Sequence, residues 1–237
     1  MGGSHNFNWL SLIPGLEHYP NHVIMALVVS VGLVIATFIA RTQLSSAMKS
    51  AEGALIPEAK LSFRNFFEII ADSLFGLTKS VIGEHDAPIY FPIIGTLFVF
   101  IFTCNIVGLI PGLLPPTENL NTTLALGAFV FIYYNFAGFR AHGMAYLKHF
   151  LGPVLWLAPL LLIIEVVSHL FRPLSLALRL RGNIMGDHVV LAAFSSLAPY
   201  LVPVIFYGLG VFVAFIQAFV FCLMTMVYIS LSTSHDH

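Results

Sequence analysis

Long stretches without charged residues alternate with short polar segments along this chain. Between Glu17 and Arg41, for example, no Asp, Glu, Lys or Arg interrupts the run VIMALVVSVGLVIATFIA. A helix needs about 20 apolar residues to cross the hydrocarbon core of a membrane. The same pattern predicts membrane-crossing helices at residues 22–41, 90–112, 121–138 and 203–232, and a long apolar run that carries a few charges predicts another at 153–198.

The segment between the first two crossing helices follows another pattern. Residues 60–83 carry several charges, and their apolar side chains recur at helical spacing. We expect an amphipathic helix that lies in the membrane interface. Its apolar positions are Phe63, Phe66, Phe67, Ile70, Leu74 and Leu77. The pattern therefore predicts an all-α integral membrane protein of one domain, with about five membrane-crossing helices and one interfacial helix.

The last two helices are too long to stand upright in a membrane. Residues 153–198 would extend about 69 Å as a helix at 1.5 Å per residue, whereas the hydrocarbon core is about 30 Å thick. Pro199 and Pro203 mark a break between the two helices. We therefore predict a long tilted helical hairpin. Its helices would fit the membrane through strong tilt, a kink near Pro173, or both.

Polar residues in the fourth crossing helix share one face. At about 100° per residue, six of the polar residues fall within about 40° of Arg179, counting Arg179 itself. The stripe consists of Glu165, Ser168, Arg172, Ser175, Arg179 and Asn183. His169 and Asp187 lie on one flank, while Arg181 and His188 point nearly the opposite way. An arginine at membrane depth costs at least about 2.5 kcal/mol, so the stripe favours a proton or ion path over a buried structural ion pair.

Composition narrows the class of protein. Hydrophobic residues make up 58% of the chain and charged residues only 9%, which is too apolar for a water-facing surface. The net charge of −1 argues against a nucleic-acid partner. No nucleophile elbow, phosphate-binding loop or zinc-protease motif occurs in the sequence, so we expect no cofactor and no metal site.

The distribution of Lys and Arg predicts the orientation. The first 22 residues contain neither, whereas five follow the first crossing helix. Basic residues favour the cytoplasmic side, so the N-terminus is expected outside and the C-terminus inside.

Three other functions are alternatives to a proton or ion path: an antiporter-like respiratory subunit, a membrane enzyme and a structural scaffold. The first would carry lysines in its apolar helices, the second a catalytic motif, and the third leaves the stripe unexplained.

Two motifs connect the chain with a known family. EVVSHLFRPLSLALRLRGNIMGDH at residues 165–188 and IQAFVFCLMTMVYISLS at residues 216–232 closely resemble subunit a of the F-type ATP synthase. NIVGLIPG and PTENLNTTLALGAF are similar to the second and third spans of that family. The resemblance implies a non-catalytic stator in a bacterial inner membrane. Its partners would be the c-ring, the b-subunit peripheral stalk and the lipid bilayer.

The resemblance also implies roles for individual residues. Arg179 matches the stator arginine that faces the c-ring carboxylates. Glu165 matches an acid of the cytoplasm-facing half-channel, Ser168 lies in the same matched segment, and Asn183 belongs to the arginine motif. His188 matches an outward half-channel position, and Gln217 matches a glutamine near the arginine. Some relatives carry His or Glu where this chain has Gly210, so the outer path would rely on His188, Asp187 and Glu118.

Overall fold

A computed structural model describes residues 19–48, 63–110, 112–143, 146, 158–197 and 201–233. These residues form six α-helices and one 3-10 turn, with no β-strand among them. The helices are α1 Asn21–Met48, α2 Phe63–Ile82, α3 Ala87–Val107, α4 Leu120–His142, α5 Ala158–Leu197 and α6 Leu201–Thr233, and the 3-10 turn is Pro116–Glu118. The predicted all-α class is thereby confirmed.

Five of these helices are long and apolar enough to cross a membrane: α1, α3, α4, α5 and α6. The predicted helix at 60–83 corresponds to α2, which packs against α3 and α6. The predicted break at Pro199 falls outside the described residues, as do positions 153–157 of the fourth predicted helix.

Local sequence signals explain where several helices begin and end. Gly83 follows α2 with φ of 104°, a conformation that glycine adopts without steric penalty. A proline stands in the first turn of α3, where its missing N–H leaves no hydrogen bond unmade. The side chain of Asn119 caps α4 by accepting a hydrogen bond from the backbone N–H of Asn121 at 2.9 Å.

The core lies where α3, α4, α5 and α6 meet. Its largest fully buried side chains include Ile94, Phe98, Tyr134, Leu180 and Phe221. In this core, α4 packs along α5 and α3 packs along α6. Most other apolar side chains of α1 and α5 are exposed, as expected for helices that meet lipid or another membrane protein.

α5 is a single helix of 40 residues that continues through Pro173. Its length is about 60 Å, about twice the hydrocarbon thickness. A close approach to α4 fixes its position: a Cβ added to Gly127 would lie 2.7 Å from the carbonyl oxygen of Pro173. The absent side chain therefore allows the two backbones to touch near the middle of α5.

Candidate functional site

Arg179 lies on the open face of α5. The same face exposes Ser168, Ser175 and Asn183, whereas Glu165 and Arg172 are partly buried. The opposite face packs into the core through Leu176, Ala177, Leu180 and Ile184. A guanidinium facing lipid would be unfavourable, so the open face of α5 requires a polar or charged partner.

At one end of the bundle, a carboxylate and a histidine come together from two elements. Oε2 of Glu118, in the 3-10 turn, lies 3.3 Å from Nδ1 of His188 on α5. Both side chains remain partly accessible, at 34% for Glu118 and 25% for His188. We call Glu118 and His188 the loop pair. Both groups can bind and release protons, and water can reach both.

Arg181 holds the backbone of the same turn. Its Nε donates a hydrogen bond to the carbonyl oxygen of Glu118 at 3.2 Å. Arg181 and His188 therefore contact Glu118 from one face of α5, the first at its backbone and the second at its carboxylate. A cavity of about 450 Å³ opens beside them, with Asn21, His22 and Met185 in its wall.

The pKa of Glu118 is lowered by these neighbours. The hydrogen bond with His188 is the largest cause, and the charges of His188 and Arg181 act in the same direction. Partial burial acts against them by raising the pKa. The balance keeps the Glu118 carboxylate ionised at neutral pH, so it is available to accept a proton.

Buried contacts fix the segment that carries Glu118. The hydroxyl of Thr117 donates to Oδ1 of Asn105 at 2.8 Å, and both side chains are buried. Gly108 allows Pro115 to pack closely, since a Cβ at Gly108 would lie 2.6 Å from the ring of Pro115. The end of α3 therefore holds the turn in place.

A second carboxylate–histidine contact lies toward the other end of α5. Oε1 of Glu165 is 3.4 Å from Nδ1 of His169, one helical turn later. We call Glu165 and His169 the helix pair. At 1.5 Å per residue, Glu165 lies about 21 Å along α5 from Arg179, and His188 lies about 14 Å away in the other direction. The two pairs thus lie on opposite sides of Arg179.

Aromatic side chains from α4 and α6 surround the helix pair. The ring of Tyr134 lies 5.8 Å from that of His169, and Tyr228 lies 5.7 Å from Tyr134. The guanidinium of Arg172 lies over the Tyr228 ring at 5.5 Å, a cation–π geometry. The sequence placed His169 only on the flank of the stripe, although its spacing of four from Glu165 is the signal that predicts this contact.

The remaining predicted site residues belong to neither the loop pair nor the helix pair. Asp187 is partly buried beside His188 in sequence, and Gln217 is partly buried on α6. Gly210 is buried, and a Cβ there would lie 2.6 Å from the side chain of Leu109. The side chain of Leu109, which follows α3, therefore fills the space beside Gly210.

Comparison with known proteins adds an independent finding. Residues 23–230 match the protein family described as ATP synthase A chain. A protein named ATP synthase subunit a from Bdellovibrio bacteriovorus is 46% identical over 233 residues, which are 98% of this chain and 100% of that relative. ATP synthase subunit a 3 from Pelobacter propionicus is 45% identical over 86% of each chain. ATP synthase subunit a from Geobacter sulfurreducens is 48% identical over 73% of this chain and 76% of its own.

Proposed function

Because the chain belongs to the ATP synthase A chain family, we propose that it acts as the proton-translocating stator of the membrane sector, with Arg179 facing the c-ring carboxylates. In this proposal the subunit performs no bond chemistry itself. It couples proton flow to rotation, and the complex uses that rotation to make ATP. The b-subunit stalk would hold it still, and the bacterial inner membrane would surround it.

The arrangement of titratable groups along α5 carries this proposal. The loop pair and the helix pair lie on opposite sides of Arg179 along the helix. With the N-terminus outside, as the Lys and Arg distribution predicts, the loop pair belongs to the outward half-channel. The helix pair then belongs to the cytoplasmic half-channel, which also contains Ser168. Asp187 would contribute to the outward path, and Asn183 and Gln217 would line the region near Arg179.

Electrostatics explains why a fixed arginine separates the half-channels. A rotor carboxylate is neutral when it faces lipid and ionised when it exchanges its proton. At an effective dielectric constant of 20, opposite charges 4 Å apart attract by about 4 kcal/mol, which lowers a carboxylate pKa by roughly 3 units. Arg179 therefore favours proton release as each carboxylate passes.

The same positive charge opposes a direct leak. A proton that crossed from the loop pair to the helix pair without using the rotor would have to pass a guanidinium that is protonated at every working pH. The driving force for such a leak is about 2.3 kcal/mol per 100 mV. Repulsion at the exposed Arg179 would need to exceed this value, and a water-excluded interface with the rotor would strengthen it.

The test compares two arginines that are two residues apart. We expect Arg179→Ala to abolish ATP-driven proton pumping in inverted membrane vesicles that carry the complete complex. Arg181→Gln is the matched control, since Arg181 faces the 3-10 turn rather than the stripe, and it should still pump, at a rate at most about fivefold lower. Normal pumping by Arg179→Ala would overturn the proposal.

A further inference from the structure

His169 is a titratable side chain to which the proposed function so far assigns no role of its own. Its side chain is only 12% exposed, whereas that of Glu165 is 36% exposed. The carboxylate thus stays toward the open face of α5 while the imidazole lies toward α4 and α6. The two groups are 3.4 Å apart, within reach for a proton to pass directly after a small side-chain movement.

We propose that His169 is a second proton-carrying residue of the cytoplasmic half-channel, which passes protons between Glu165 and the water on that side of the membrane. The inference rests on the proposed function and extends it to this residue. An imidazole suits the task because it has two ring nitrogens, one of which can accept a proton while the other releases one.

Titratable and aromatic side chains from α4, α5 and α6 lie around His169. The titratable and charged groups that face it are Glu165 and Arg172 on α5 and Tyr134 on α4. Tyr228 on α6 lies next to Tyr134 and Arg172, and Tyr146 is close enough to Arg172 and Glu165 to feel their charges. The hydroxyl of Tyr146 donates to Oδ1 of Asn135 at 3.0 Å, which continues the polar contacts beyond Tyr134.

The proton transfer balances at each step. Protonated Glu165 loses the proton from its carboxyl oxygen, and Nδ1 of the neutral imidazole forms a new N–H bond. The resulting imidazolium then breaks its Nε2–H bond and gives that proton to water, which leaves a neutral ring in the other tautomer. A ring flip or tautomer exchange restores the starting state, and no other reactant is consumed.

The test removes the imidazole and then supplies one from solution. We expect His169→Ala to pump about tenfold more slowly, a smaller loss than the 10² or more typical of a sole proton-transfer group because water can substitute in part. Added imidazole should restore pumping, since the truncated side chain leaves room for it. The matched control is His85→Ala, which removes an exposed histidine from the loop between α2 and α3 and should change nothing.

A second variant distinguishes proton transfer from packing. His169→Gln keeps a hydrogen-bonding side chain of similar length but cannot be protonated near neutral pH. We expect it to pump slowly, and its pumping rate should no longer depend on the pH of the medium on the cytoplasmic side, where ATP is hydrolysed. Normal pumping by both variants, or a loss that imidazole does not restore and that leaves the pH profile unchanged, would overturn the proposal. Because Arg179→Ala tests the stator role independently, a failure at His169 alone would leave that role standing.

Discussion

The loop pair and the helix pair have nearly the same geometry but are built in different ways. Their N···O distances are 3.3 Å and 3.4 Å. Glu118 and His188 come from separate elements, so their contact depends on how the 3-10 turn packs against α5. Glu165 and His169 are one turn apart on α5, so the helix alone brings them together. The same chemistry is thus fixed by tertiary packing at one end and by secondary structure at the other.

The surroundings of the two pairs differ in a matching way. The loop pair lies beside a cavity of about 450 Å³, and the charge of Arg181 helps to lower the pKa of Glu118. The helix pair lies against aromatic rings from α4 and α6. Water and charge therefore dominate the first environment, and packed side chains dominate the second. Variants that disturb the packing between elements should therefore affect the loop pair more than the helix pair.

The largest expected effect comes from breaking the loop pair itself. We expect Glu118→Gln or His188→Leu to slow ATP-driven pumping by roughly 10², as for loss of a positioned proton-transfer group. Either change should alter how the pumping rate depends on the pH of the medium on the side of the membrane where the loop pair lies, and not on the other side. The exchange of both residues, Glu118→His with His188→Glu, should recover much of the activity because it restores an acid–histidine contact across the same two elements.

A third histidine provides the control for the loop pair. His22 lines the same cavity, and His22→Gln should pump like the unaltered complex. If Glu118→Gln and His188→Leu also pump normally, the loop pair has no part in proton transfer, and the comparison between the two ends loses its functional meaning.

A smaller effect is expected when the loop pair is disturbed through Arg181. Arg181→Gln removes a charge that lowers the pKa of Glu118, so that pKa should rise and the loss of pumping at low pH should begin at a higher pH. We expect a decrease of up to about fivefold, which corresponds to about 1 kcal/mol for a partly exposed charge contact. The measurement is the pumping rate as a function of the pH on the side of the membrane where the loop pair lies.

The same change has a consequence for stability. The pKa of Glu118 is lowered in the folded protein, so the ionised carboxylate stabilises the fold at pH values above the ordinary carboxyl pKa of 4.5. This contribution is lost as the pH falls through the lowered pKa. Arg181→Gln should therefore weaken the complex at neutral pH but make no difference well below the lowered pKa. A variant that leaves both pH profiles unchanged would show that Arg181 has no influence on Glu118.

The contrast between the two pairs also explains how much the sequence could predict. Charge-free intervals predict four of the five membrane helices because lipid excludes charge along each segment separately. The Arg179 stripe follows from helical periodicity, and the spacing of Glu165 and His169 is a local signal of the same kind. No local rule places Glu118 beside His188, since that contact requires the Asn105–Thr117 bond and the packing of the turn on α5. Only the resemblance to a family pointed to both residues.

The smallest expected effect on pumping comes from moving α4 relative to α5. In Gly127→Ala, the new Cβ would lie 2.7 Å from the carbonyl oxygen of Pro173, so the two helices must separate locally. Overpacking of this kind costs about 1–3 kcal/mol, more than the roughly 1 kcal/mol that alanine adds in helix propensity. We expect a lower melting temperature of the detergent-solubilised complex. Gly32→Ala is the matched control, since no atom lies within 4 Å of its new Cβ, and it should keep or raise that temperature.

Pumping per assembled complex should change little in Gly127→Ala. Separation of α4 from α5 moves Tyr134 away from His169, but it leaves Glu165 and His169 on the same turn of α5. If the helix pair carries protons, a small shift of an aromatic neighbour should alter the rate far less than loss of the imidazole does. A decrease as large as that of His169→Ala would mean that the contact with Tyr134, rather than the spacing on α5, makes this pair functional. The two ends of α5 would then depend on tertiary packing alike.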